Sequence, residues 1–223
     1  MIWWPEAIPR LQSGTLTLRP MRPSDAEDIY RAVQDPDIPK FTTVPSEYPI
    51  DLAIEFANHR AAASFVNRTE LVFVIEDSRL IEDSPLRDPI SNGSNENSKP
   101  SITPNTSNTS NTSLSTYPYS NGFAGVISLH TIDIPNHRAE IGYWLAKEAR
   151  GMGICTKAAE MITEYGLMTI GFKRIDGIVD VRNEPSKAAL LKAGYEFEGI
   201  MKKYVTRRDG SQLDMALFAA TKS

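Results

Sequence analysis

The stretch from Tyr143 to Lys157, YWLAKEARGMGICTK, holds the residue types and spacing best suited to chemistry in this chain. A strand pattern runs into a turn with Gly151 and Gly153, and a helix pattern starts directly after. Glycines let a turn aim successive N–H groups at one point, and a helix N-terminus adds partial positive charge. A diphosphate suits such a place, and Arg150 can add a charge-assisted contact. Two glycines alone fit a helix start that binds nothing equally well. The familiar phosphate loops are absent. There is no GxxxxGK[ST], and a dinucleotide GxGxxG would need glycine where Thr156 stands. His59, His130 and His137 lack metal spacing such as HExxH, so no metal is expected. No GxSxG elbow exists. Cys155 opens a helix, which lowers a thiol pKa in principle. With no histidine placed beside it, a structural cysteine is expected. Tyr143 and Trp144 are read as core side chains.

The elements that must position this turn alternate between strand and helix signals. Thr15 to Arg19, after Gly14, alternates threonine and leucine at period two, a strand with one apolar face. Ser24-Asp25-Ala26-Glu27 reads as a capping box with Ser24 as N-cap. Ala26, Ile29, Tyr30 and Val33 then keep helical spacing. Four prolines between 36 and 49 predict an irregular loop. A second helix is expected from about Asp51, with Ala53, Phe56, Ala57 and Ala61 on one side. Strands follow at 71–75, 122–130 and 139–146. Ile154, Ala158, Met161, Ile162, Tyr165 and Met168 trace a long amphipathic helix. A strand over 174–181 comes next, and the pair it forms with 139–146 implies a right-handed crossover. A short helix over 183–193 has Asn183 as N-cap and Gly194 just past its end. Tyr195 to Ala220 reads as two strands joined at Arg208-Asp209-Gly210. This order predicts an α+β fold.

Composition bounds the rest. The chain has 223 residues, with 24 Lys+Arg against 28 Asp+Glu and a net charge of −4. That balance gives no basic surface for nucleic acid. One cysteine excludes an internal disulfide and fits a reducing compartment. No apolar run approaches the roughly 20 residues that span a bilayer, so no membrane partner is expected. The opening Met1 to Glu6 lacks the pattern of a signal peptide, and its two tryptophans are read as a packing plug. A cytoplasmic protein is expected, with a nuclear one left open. Between Ser91 and Thr116, 19 of 26 residues are Ser, Thr or Asn. Such a segment has almost nothing to bury, so residues 79–121 are expected to form a disordered loop inserted into one folded domain. The domain itself is expected over 14–223, after an extension over 1–13.

Arg150-Gly151-Met152-Gly153-Ile154-Cys155 resembles the R/Q-x-x-G-x-G/A signature of the GNAT superfamily of N-acetyltransferases, with Cys155 in place of the last Gly or Ala. EIGYWLAKEARGMGI before the helix and NEPSKAALLKAGYEFEG after it resemble the ribosomal-protein N-terminal acetyltransferase branch, as does LTLRPMRPSDAEDIYRAV near the start. The resemblance implies a mixed, mostly antiparallel sheet flanked by helices. It implies acetyl-CoA as donor and a primary amine as acceptor. Backbone at Trp144, Leu145 and Ala146 would pair with the pantetheine arm as an added strand. Backbone amides of Gly151, Met152, Gly153, Ile154, Cys155 and Thr156, with Arg150, would hold the pyrophosphate. Asn183 and Ser186 would face the thioester and the arm. Lys157 and Lys192 can reach the adenosine phosphate, or lie on solvated helix surface.

Transfer from a thioester to an amine needs a proton acceptor and help for the departing sulfur. Glu140 is the candidate base, since the family often keeps a carboxylate in that strand; its other reading is an exposed strand glutamate. Ser186 is the candidate partner of the sulfur. Many family members place a tyrosine four residues further on, where this chain has Leu190, so Tyr195 or Tyr204 are alternative donors. A catalytically silent acetyl-CoA-binding domain is the competing function. The acceptor, a protein N-terminus or a small molecule, would be set by the loop 36–49 and the hairpin near 205–211. Monomer and homodimer are both open.

Overall fold

The computed structural model describes residues 2–81, 118–207 and 210–222. Most of the expected insert, 82–117, lies outside the described residues, as do Arg208 and Asp209 of the expected hairpin turn. Its flanks belong to the fold. Ser78–Leu80 forms a turn of 3₁₀ helix with Leu80 buried, and Ser120–Gly122 forms another. Ser120 donates its backbone N–H and its hydroxyl to buried Asp28.

The strands are β1 (Leu11–Ser13), β2 (Leu16–Arg19), β3 (Leu71–Asp77), β4 (Phe123–Asp133), β5 (Arg138–Leu145), β6 (Arg174–Asp180), β7 (Glu196–Thr206) and β8 (Gln212–Thr221). They make one eight-stranded sheet in the order β1-β2-β3-β4-β5-β6-β8-β7. Among the described residues the single parallel pair is β5 with β6. Period-two alternation sorts the residues of β5 onto two faces. Ala139, Ile141, Tyr143 and Leu145 share one; Glu140, Gly142 and Trp144 share the other.

The helices are α1 (Ala26–Val33), α2 (Asp37–Phe41), α3 (Ile50–Glu55), α4 (Ala61–Val66), α5 (Ile154–Glu164) and α6 (Glu184–Lys192). A wider π-type turn, Phe56–Arg60, joins α3 to α4, so the second expected helix is one continuous rod. Another, Tyr165–Ile170, prolongs α5 until Gly171 turns left-handed. α5 packs across β2, β4 and β5 and carries the chain from β5 to β6.

Four local expectations change. Residues 37–41 are helical despite Pro39, which stands in the first turn, where a missing N–H costs no helical bond. Strand β1 lies within the expected extension and pairs with β2 through Leu11↔Leu18. Strand β2 is buried on both faces. The cap before α1 is not Ser24: Asp25 accepts from the Arg22 N–H at 2.7 Å. That aspartate is buried against Arg19, which reaches it with two bonds of 2.8 and 2.7 Å and reaches Glu76 at 2.6 Å. A fully buried guanidinium thus binds β2, β3 and the start of α1 together, because leaving it unpaired would be costly.

Candidate functional site

Strands β5 and β6 pair only at Arg138↔Arg174, Ala139↔Ile175 and Glu140↔Asp176. Beyond Glu140 they separate, while β5 stays paired with β4 up to Leu145 and β6 with β8 up to Asp180. An opening therefore runs into the sheet, with Glu140 at its vertex. Beyond the end of β5 the chain turns at 150–153, where the Met152 carbonyl accepts from Arg79, and enters α5, whose first turn brings Cys155 beside Tyr143. Gly151 and Gly153 both have positive φ, 77° and 75°, and Gly153 is the N-cap of α5. The first helical bond is Lys157 N–H to the Gly153 carbonyl, so the amides of Ile154, Cys155 and Thr156 precede the ladder.

The backbone of β5 divides its bonding between the two sides. Ala146 N–H donates to Ala124 O at 2.9 Å. In an antiparallel ladder residues two apart face the same neighbour, so Trp144 and Ala146 turn their peptide groups to β4, while Tyr143 and Leu145 turn theirs to the opening. Of the three residues expected to meet a ligand arm at 144–146, Leu145 is the one whose peptide groups face the opening. Its carbonyl accepts from Arg150 at 3.0 and 3.3 Å. The Arg150 guanidinium lies 2.7 Å from Asp35 and 3.7 Å from Asp37, so it ties the end of β5 to the start of α2.

The two catalytic candidates fall on opposite faces. Glu140 stands directly across from His130 on β4, beside Gly142. A Cβ on Gly142 would meet the His130 ring at 2.8 Å, so the imidazole lies over that glycine. Ser186, in the first turn of α6, stands on the other face. Its hydroxyl is 2.9 Å from the Tyr143 hydroxyl, and the Ser186 carbonyl accepts from the same phenol at 3.3 Å. Asn183 caps α6 by accepting the Ser186 N–H at 3.2 Å. Burial holds the Tyr143 hydroxyl well above the ordinary phenol range, the neighbouring Cys155 adds to this, and the bond to Ser186 opposes it. Burial pushes the Cys155 thiol up to about 12, partly offset by Tyr143, so it stays protonated in the neutral range.

The alternative donors lie elsewhere. Tyr195 is 2% exposed, and its hydroxyl is 2.6 Å from Thr163 inside the core. Tyr204 is exposed on β7. Leu190 is 0% exposed and packs over Gly177, whose Cβ would meet it at 2.6 Å. Lys157 is ion-paired with Glu160 at 3.0 Å on the surface. The two segments expected to shape an acceptor site meet: Arg207, beyond β7, donates to the Lys40 carbonyl of α2 at 2.6 Å. Sequence reasoning missed the Tyr143 side chain. One phenol on an otherwise apolar strand face was the available signal, because a buried hydroxyl needs a partner.

The family described as "Acetyltransferase (GNAT) domain" matches residues 15–196. The chain belongs to this family. It is 40% identical over 81 residues to the putative ribosomal N-acetyltransferase YdaF of Bacillus subtilis, covering 36% of this chain and 44% of that protein. It is 32% identical over 76 residues to the spermidine N(1)-acetyltransferase of Escherichia coli, covering 34% and 41%. The aligned stretches thus span under half the length of both relatives. Among solved structures, the microcin C7 self-immunity acetyltransferase MccE, in complex with acetyl-CoA and AMP, shares the fold. Its TM-score is 0.67 at 23% identity, with 94% of each chain covered. No described helix is long and apolar enough to cross a membrane.

Proposed function

We propose that the chain is an acetyl-CoA-dependent N-acetyltransferase that transfers directly to a primary amine while donor and acceptor are both bound. The observation that carries this reading is the opening between β5 and β6 together with the left-handed glycine turn that leads from β5 into α5. The residues present fit the donor. An added Cβ on Gly151 or Gly153 would meet no atom within 4 Å, so the turn is open on its outer side. The amides of Ile154 to Thr156 suit a pyrophosphate, and the edge of β5 at Tyr143 and Leu145 suits an amide-bearing arm.

When bound, acetyl-CoA supplies the activated acetyl group. Glu140, on the face shared with His130 and Trp144, takes the proton that the acceptor amine loses. Ser186, on the opposite face, hydrogen-bonds the departing sulfur. The joined segments near Lys40 and Arg207 border the acceptor side and select the amine. A protein N-terminus and a polyamine are both primary amines of the class the relatives are named for, and the net charge of −4 favours cationic acceptors in encounter.

The test combines calorimetry with a screen of amines and peptide N-termini for thiol release. The parent binds acetyl-CoA, and at least one amine elicits release. Gly153→Val, with a branched side chain at φ 75° and in the path of the diphosphate, weakens acetyl-CoA about tenfold or more. Equal affinity in that variant would refute the cradle. Binding without release to any amine would leave the silent domain as the function.

A further inference from the structure

We propose that Tyr143 is a positioning residue for Ser186. Its hydroxyl holds the serine hydroxyl so that the serine proton points into the opening between β5 and β6, where the sulfur departs. This rests on the acetyltransferase reading above and adds to it the group that orients the serine.

The geometry is local and specific. The two hydroxyls lie 2.9 Å apart and either can donate, while the Ser186 carbonyl at 3.3 Å and the sulfur of Cys155 also lie within reach of the phenol. In the arrangement proposed, Tyr143 donates to Ser186 Oγ, which leaves the serine O–H for a second partner. Ser186 stands in the first turn of α6, so the residue four before it, Arg182, lies outside the helix. The carbonyl four residues back is therefore out of helical position, and the one three back, Asn183, already accepts the Lys187 N–H. The Tyr143 side chain packs against the core, and its backbone stands opposite Ile127 of β4. Its hydroxyl stays protonated through the neutral range, which keeps it a donor. α6 itself brings no aromatic hydroxyl, since Leu190 is turned onto Gly177. The phenol that helix lacks is delivered from β5.

In the transfer, the amine nitrogen bonds to the acyl carbon, and the carbon–sulfur bond breaks with its electron pair going to sulfur. The amine's surplus proton goes to Glu140. The oriented Ser186 O–H donates a hydrogen bond to the charge left on sulfur, which then takes a proton from water.

Coenzyme A, the free thiol, is the probe. Its thiol is titrated by thiolate absorbance while bound to the parent, Tyr143→Phe, Ser186→Ala and the double variant. Loss of one hydrogen bond to a charged sulfur raises the bound thiol pKa by roughly one unit in Tyr143→Phe. The double variant shifts no further than Ser186→Ala alone, because the tyrosine acts through the serine. Turnover in Tyr143→Phe falls about tenfold with the KM for acetyl-CoA nearly unchanged. A thiol that titrates alike in the parent and Tyr143→Phe overturns the inference, and so do shifts that add in the double variant. If Tyr143→Phe melts early, Ser186→Ala remains decisive: a parent-like titration there overturns it too. A parent that binds no coenzyme A overturns the underlying reading and this inference with it, whereas binding with unshifted titrations overturns this inference alone.

Discussion

Strand β5 treats its two neighbours differently. Against β4 it pairs without interruption from Glu140↔His130 to Leu145↔Gly125. Against β6 it pairs for three residues and then parts. The first seam is closed by close backbone approach. Gly125 has φ 150°, and a Cβ there would stand 2.2 Å from the Trp144 carbonyl oxygen and 2.9 Å from the Leu145 Cα. The second seam opens beyond Glu140, while β6 stays bonded to β8 through its other edge along its whole length. The lesson is that stability and function use opposite edges of one strand. The closed edge fixes where β5 lies. The open edge leaves the peptide groups of Tyr143 and the N–H of Leu145 for a ligand, since the Leu145 carbonyl already accepts from Arg150.

The sharpest way to break the contrast is at the closed seam. Gly125→Ala meets backbone, which cannot yield as a side-chain end can, and it asks alanine for a conformation that glycine alone adopts readily. The expected loss is about 3 kcal/mol or more in urea unfolding. Gly177→Ala, on the strand bordering the open seam, meets only the Cδ1 end of Leu190. It costs roughly 1 kcal/mol as that side chain turns. Equal losses in the two variants would erase the distinction between the seams.

The vertex, where the seam turns from closed to open, sharpens the contrast through chemistry. On the acetyltransferase reading, Glu140→Gln lowers kcat about 10²-fold, the lower range for losing a general base. Acetyl-CoA affinity holds, because Glu140 and Ser186 lie on opposite faces of the sheet. The deficit shrinks as pH rises and more of the acceptor amine is already neutral. Ser186→Ala instead slows turnover at all pH values. A pH–rate profile of both variants with one good acceptor decides it, and an unchanged profile for Glu140→Gln would pass the base role to water or His130.

Much of this arrangement is legible in the sequence where the signal is local. Asn183 and Gly194 bracket α6 as their chemistry requires: the asparagine accepts the Ser186 N–H, and Gly194 takes φ 87°. Gly151 and Gly153 mark the turn because left-handed backbone favours glycine. What stays hidden depends on partners distant in the chain. Nothing near Arg150 in the sequence announces Asp35, over a hundred positions earlier, as its ion-pair partner. Tyr143 reads as core until Ser186 meets it from 43 residues away. Strand β1, with three residues, and α2, with a proline inside it, carry too little periodicity to be seen. The open seam itself has no sequence mark, since nothing in either strand's residue pattern tells which neighbour it keeps.

The smallest expected effect lies farthest from either seam. The Ser/Thr/Asn-rich stretch offers almost no apolar surface, and loop-closure cost grows slowly with length. Its folded flanks already meet: a Cβ on Gly122 would lie 3.1 Å from Cγ1 of Ile81 and 2.4 Å from the Asp77 carbonyl oxygen. They are held independently, Arg79 by paired bonds to buried Asp77 and Ser120 by Asp28. Replacing residues 83–116 with a short Gly/Ser linker, and leaving 79–81 and 118–121 intact, should keep the melting temperature and acetyl-CoA affinity nearly unchanged. Moving the junction inward to remove Ser120 should instead lower the melting temperature, since Asp28 then loses the donors that serve it at 4% exposure. Calorimetric scans of the two deletions separate these outcomes. A collapse in the first would mean that the replaced stretch contributes contacts that its composition gives no reason to expect.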